Sequence, residues 1–94
     1  MAIPIRGLAS QTPATPGQAV NALSPGLIGG YINNPITNTQ NLYVDPTQPA
    51  SINANGTTMI LVPGQTFHAI PNSSLHVSVA SQIPNHPFIA IQWS

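Results

Sequence analysis

The sequence predicts an all-β protein: a small antiparallel β-sandwich or compact barrel of about six strands, preceded by an extended, Pro-rich N-terminal arm. Three observations carry this. From residue 27 onward, short apolar stretches alternate with Pro, Gly, Asn and Asp at turn positions. No stretch sustains apolar residues at the period of a helix. The first 26 residues are rich in Pro, Gly, Ala and Thr and carry neither periodicity.

The chain therefore divides into an arm over 1–26 and a β-domain over 27–94. In the arm, "PATPG" at 13–17 fixes φ at Pro13 and Pro16, removes two backbone donors and biases the preceding residues toward extended conformations. "LSPG" at 23–26 is a turn signal that closes it. Ile3, Ile5, Leu8 and Val20 are apolar anchors along a segment that loses little conformational entropy on docking, and Arg6 is the only basic side chain besides histidine. These five residues are the candidate partner-binding set.

Six strands follow. "LIGGYI" (27–32) leads into "NNP", and "NLYV" (41–44) into "DPTQP". "TTMILV" (57–62) precedes a Pro-Gly pair, "QTFHAI" (65–70) precedes "PNSS", and "LHVSVA" (75–80) precedes "SQIPNHP". "FIAIQW" (88–93) is the last. In "LHVSVA" the residues Leu75, Val77 and Val79 share one face and His76, Ser78 and Ala80 the other, as in a half-buried strand. In "FIAIQW" Ile89, Ile91 and Trp93 lie opposite Phe88, Ala90 and Gln92, and the strand is expected to commit to a core. "VPGQ" (62–65) sets Pro and Gly at the central positions of a type II turn, which makes the link between its two strands tight. "ANGT" (54–57) offers an Asn-Gly turn.

Composition excludes several functions. One Arg and one Asp make charged residues 2% of the chain, against roughly 25% in ordinary soluble domains. A net charge of zero leaves no electrostatic barrier to self-association, so a homo-oligomer is expected. Nucleic-acid binding is not, because phosphate neutralisation needs many cations. The apolar run "MILV" (59–62) is far too short to cross a bilayer, and Pro4, Arg6, Gly7 and Ser10 interrupt any secretory apolar stretch. With no Cys, stability must come from packing or assembly.

Candidate chemistry is sparse. His68, His76 and His86 are spaced by eight and ten residues with one carboxylate in the chain, which gives no metal-ligand pattern. Asp45 in "VDPT" reads as a turn cap without a second carboxylate to share acid–base work. No nucleophile elbow accompanies the serines. "NGT" (55–57) and "NSS" (72–74) match glycosylation sequons but read as turn chemistry. Tyr31, Tyr43, Phe67, Phe88 and Trp93 are assigned to the core rather than to a sugar-stacking platform. No catalytic residue, cofactor or metal is expected.

The pattern "YINNP…NLYVDP…TTMILVPGQTF…SSLHVSVA…FIAIQW" resembles small β-sandwich proteins of tailed-bacteriophage virions across residues 27–94. These share an Asn-Pro after the first strand, a short "LYV" strand, a central "PGQ" turn, an alternating aliphatic strand and a last strand bearing aromatics. The resemblance implies a non-enzymatic virion component, above all a capsid decoration (cement) protein. Such a protein docks on the major capsid protein or other virion subunits through its arm, stabilises the particle, and is made in the host cytoplasm before joining the virion. A minor tail, fibre or spike component and a glycan-binding surface module are the alternatives.

Overall fold

The structure, a computed structural model, describes residues 4–26, 28–69, 71 and 74–93. Ile3 of the candidate set, Leu27 and Ile70 at strand ends, and Asn72 and Ser73 of the second sequon lie outside the described residues. The described residues form eight strands and no helix: β1 (Pro4–Arg6), β2 (Val20–Leu23), β3 (Gly29–Asn33), β4 (Leu42–Asp45), β5 (Met59–Leu61), β6 (Thr66–His68), β7 (Val77–Ala80) and β8 (Ile89–Trp93). They build two four-stranded antiparallel sheets, ordered β1-β8-β3-β6 and β2-β7-β4-β5.

The pairing is that of one long hairpin rolled up. β1 lies against β8, β2 against β7, β3 against β6 and β4 against β5, while β3–β8 and β4–β7 contacts close the sheets. This is the strand order of a jelly roll. Its consequence is that the first strands are as necessary as the last, because each supplies half of a pair.

Two expectations are corrected here. The six anticipated strands are all present, but β1 and β2 bring the number to eight, and both come from the stretch read as an arm. Pro4 is tolerated because it opens an edge strand, where its missing N–H costs no ladder bond. Between β1 and β2 the chain is tied to its own domain. Gly7 N–H donates to Ala90 O (2.7 Å) and Leu8 N–H to Ala22 O (2.9 Å), so consecutive residues bond to β8 of one sheet and β2 of the other. Gly7 is required at this crossing because a Cβ there would fall 2.6 Å from both Ala22 O and the Ala90 Cβ. Thr12, Ser10, Pro13 and Gly17 then bond to His86, Phe88, Asn85 and Ser81. "LSPG" is a turn, but it joins β2 to β3.

The "VPGQ" turn forms as read, with Gly64 at φ 95° and Gln65 N–H donating to Val62 O (3.0 Å). It does not close a hairpin: β5 and β6 belong to different sheets. A type II turn lacks the twist that matches paired strands, so the strands splay, and the turn serves as a corner between sheets.

Between the sheets, Ala22, Leu23, Ile32, Leu42, Val44, Leu61, Val77, Val79, Phe88 and Ala90 form the core. Burying each of the larger side chains stabilises the fold by roughly 1.5–3 kcal/mol. A β-bulge at Asn21–Leu23 turns both Ala22 and Leu23 inward. β7 is not half-buried as the alternation suggests. Val77 and Val79 face the core, while Ser78 and Ala80 are buried under the β4–β5 loop, where Ser78 Oγ accepts from Ala50 N–H (2.8 Å) and donates to Gln48 O (3.0 Å). Tyr43, Ala50 and Ala80 form a small second cluster beneath that loop. Leu75, by contrast, is exposed. The inner strands β7 and β4 are thus covered on both faces, whereas the β1-β8-β3-β6 sheet has no loop cluster of this kind on its outer face.

Candidate functional site

Three places concentrate polar or aromatic chemistry. The first surrounds Asp45, the chain's one acidic side chain, which is fully buried at the end of β4. Oδ1 accepts from Thr47 N–H (2.8 Å), Gln48 N–H (3.1 Å) and the hydroxyls of Thr57 (2.7 Å) and Thr47 (3.1 Å), and Oδ2 from Thr58 Oγ1 (2.8 Å). Burial raises its pKa, but the hydrogen bonds from Thr47, Thr57, Thr58 and Gln48 outweigh it and hold the carboxyl at about 2 against an ordinary 3.8. The "VDPT" turn cap is therefore a sealed anion that pins both ends of the β4–β5 loop, and no position is left for a substrate.

The second is a buried knot around His86. Ser81 Oγ lies 2.8 Å from His86 Nδ1, and Asn34 Oδ1 lies 3.0 Å from Nε2. Asn34 spends both amide hydrogens on backbone carbonyls, so the Oδ1 facing Nε2 is an acceptor, the ring carries its hydrogen on Nε2, and Ser81 Oγ donates to Nδ1. Asn34 in turn donates to Gln40 O (3.0 Å) and Leu61 O (2.8 Å), and Asn38 donates to Asn34 Oδ1 (2.9 Å) and Pro87 O (2.8 Å). Burial pushes the His86 pKa down from 6.5. A Ser-His-Asn sequence of contacts resembles a nucleophile relay on paper. Here Ser81 is 1% exposed and His86 fully enclosed, and the hydrogen bonds tie the β3–β4 loop to the β7–β8 loop and to the end of β5. Among the described residues no buried side-chain nitrogen or oxygen lacks a partner.

The third is the outer face of the β1-β8-β3-β6 sheet. Cross-strand register puts Arg6, Ile91, Tyr31 and His68 in one row spanning all four strands. Pro4, Trp93 and Gly29 form the row on one side; Ile89, Asn33 and Thr66 form the row on the other. The Trp93 indole lies across Gly29, where a Cβ would come within 3.1 Å of the ring. Tyr31 stands edge-on to Trp93 with centroids 6.5 Å apart at 67°, and His68 flanks Tyr31 at 6.5 Å. β8 is committed to the core only through Phe88 beside it, Ala90 and Gln92, whose side chain bonds Ser24. Its bulky set, Ile89, Ile91 and Trp93, faces outward, with Ile89 44% exposed.

The candidate residues distribute over this frame. Arg6 is exposed on the outer face and, among the described residues, pairs with no anion. Ile5 (49% exposed) and Leu8 (51%) lie beside it, Ile5 on the opposite face of the edge strand. Val20 is half-buried in β2 against the core and faces away from them. Tyr43 and Phe88 are buried, Phe67 packs on the core, and Tyr31 and Trp93 are the aromatics that stay at the surface. His68, His76 and His86 lie apart, and among the described residues no group of three metal-ligating side chains exists. Both the His86 knot and the outward set of β8 escaped the sequence reading; the two-residue alternation of "FIAIQW" marked the second without saying which face was the core. No protein-family model, no curated protein sequence and no solved structure matches this chain.

Proposed function

We propose that this chain is a non-enzymatic structural subunit of a tailed-bacteriophage virion, a capsid decoration protein that docks on neighbouring subunits and stabilises the particle. One observation carries the reading: β8 presents Ile89, Ile91 and Trp93 to the outside while small Ala90 and polar Gln92 fill its core side. A large apolar face left uncovered marks an interaction surface. A surface built almost without charge fits permanent residence among other proteins. Jelly rolls also recur in viral capsid domains, which is a fold-level analogy only.

The docking element differs from the one expected from sequence. With residues 4–23 held in the domain, contact with the major capsid protein or another virion subunit falls to the outer sheet face, to Ile5 and Arg6 of β1, and to Leu8 just after it. Self-association remains part of the reading, through exposed apolar residues such as Ile36, Ile60 and Val62. Sedimentation across concentration tests it, and a monomer at all concentrations counts against it.

The test of the main reading is attachment. Purified chain should co-sediment with heads of the phage that encodes it, and mass spectrometry should find it in washed virions; its absence from particles overturns the proposal. A second reading, a glycan-binding module, is favoured by the half-buried Tyr31–Trp93 pair on the outer sheet face. Saturable glycan binding that is lost in Tyr31→Ala would establish it instead.

A further inference from the structure

We propose that the outer face of the β1-β8-β3-β6 sheet docks a different protein chain that presents a carboxylate side chain within an apolar surface. The carboxylate pairs with Arg6, and the apolar surround packs on Ile91, Tyr31 and Trp93.

Charge complementarity selects this occupant. Arg6 is the one fixed cation among the side chains, it stands on the outer face, and among the described residues it pairs with no anion. A second copy of the chain has no carboxylate side chain to offer, because Asp45 is the sole acid and is fully buried and satisfied. The face is therefore built for another chain. Beside Arg6, the inner strand β8 presents the hydrocarbon of Ile89 and Ile91, which suits a protein surface better than sugar hydroxyls. Asn33 on the third row already spends its amide on Thr66 Oγ1 (3.0 Å) and Gln65 O (3.2 Å). Trp, Tyr and Arg are the residues that dominate binding energy at protein interfaces. Next to Arg6 opens a recess of about 330 Å³ between Ala9, Ser10, Ile89 and Ile91, large enough to admit one side chain. The four strands give the face a width of roughly 15 Å, the size of the central patch of an ordinary interface.

This inference rests on the assembly reading only in taking the partner to be a protein. The test pans a yeast-displayed random peptide library against the immobilised full-length chain and resynthesises the enriched peptides as probes. Enriched peptides should carry Asp or Glu beside apolar or aromatic residues. Arg6→Gln should weaken them at least tenfold, Tyr31→Ser at least fivefold, and panning with Arg6→Glu should select Lys or Arg in place of the acid. Thermal melts confirm that each variant is folded; Arg6 is exposed on an edge strand, so its changes leave the core untouched. Enrichment without an acidic residue, equal binding by Arg6→Glu, or binding of uronic or sialic acid glycans without any enriched peptide overturns the proposal. Head attachment that survives Arg6→Glu also overturns this face but leaves the assembly reading standing. Absence of the chain from virions overturns the assembly reading and leaves the peptide result intact.

Discussion

Removing residues 1–18 should unfold the protein. A segment read from sequence as a detachable arm would leave the β-domain intact when deleted, but the rolled pairing reverses that expectation. The deletion takes away β1, and with it the whole β1–β8 ladder. It also removes seven further bonds to the remainder: Gly7 N to Ala90 O, Leu8 N to Ala22 O, Thr12 N to His86 O, Gly17 N to Ser81 O, Asn85 N to Pro13 O, Phe88 N to Ser10 O, and His86 N to Thr12 Oγ1. At about 0.5–1.5 kcal/mol each, these alone amount to roughly 4–10 kcal/mol. The total stability of a domain this size is about 5–14 kcal/mol. Four of the bonds involve residues 85, 86 and 88, so the deletion also opens the buried His86 knot to water. The assay is far-ultraviolet circular dichroism with urea and thermal melts on the full and truncated chains. The truncated chain should lack a cooperative transition at 25 °C. A cooperative melt within about 5 °C of the full chain would mean that the segment contributes about 1 kcal/mol or less, and the woven arrangement would be refuted.

Gly7→Ala forces a Cβ to 2.6 Å from backbone on one sheet and a side chain on the other, and should cost about 1–3 kcal/mol; an unchanged melting temperature would show that the crossing is not wedged. Asp45 is bound as an anion more tightly in the folded chain, with its pKa at about 2 against 3.8. It contributes about 2 kcal/mol above pH 3.8, which is lost as pH falls to 2. Asp45→Asn should flatten that acid limb in urea titrations and lower the melting temperature at pH 7, because an amide turns a donor toward threonine donors. His86 is neutral when folded and its pKa is depressed below 6.5. Stability should be flat above pH 6.5 and fall below it by at most about 1.4 kcal/mol per pH unit, since the unfolded chain takes up a proton that the folded one refuses. Imidazole nitrogen shifts by NMR should report a neutral ring protonated on Nε2 at pH 8; a ring protonated on Nδ1 there would contradict the knot.

Much of the molecule was legible in its residues. Apolar stretches bounded by Pro, Gly and Asn located β3 to β8, because strand and turn chemistry are local. The same locality explains the type II turn at Gly64 and the Asp45 cap. What the residues did not carry was pairing. Pro4–Arg6 is three residues long and exposed throughout, and becomes a strand only because β8, more than eighty residues away, offers it a free edge. "VNAL" carries no alternation because a bulge interrupts it. The alternation of "FIAIQW" is symmetric in information: it separates Ile89, Ile91 and Trp93 from Ala90 and Gln92 but does not name the buried side. Packing between the sheets decided that: Val79 and Leu42 of the opposite sheet, with Ile32 beside Ala90 on β3, fill the core around the small Ala90 side chain. His86 likewise looked like an isolated loop histidine. Its partners Asn34, Ser81 and Thr12 converge from segments that only the rolled topology brings together, and so does the row of Arg6, Ile91, Tyr31 and His68, whose four members come from four strands.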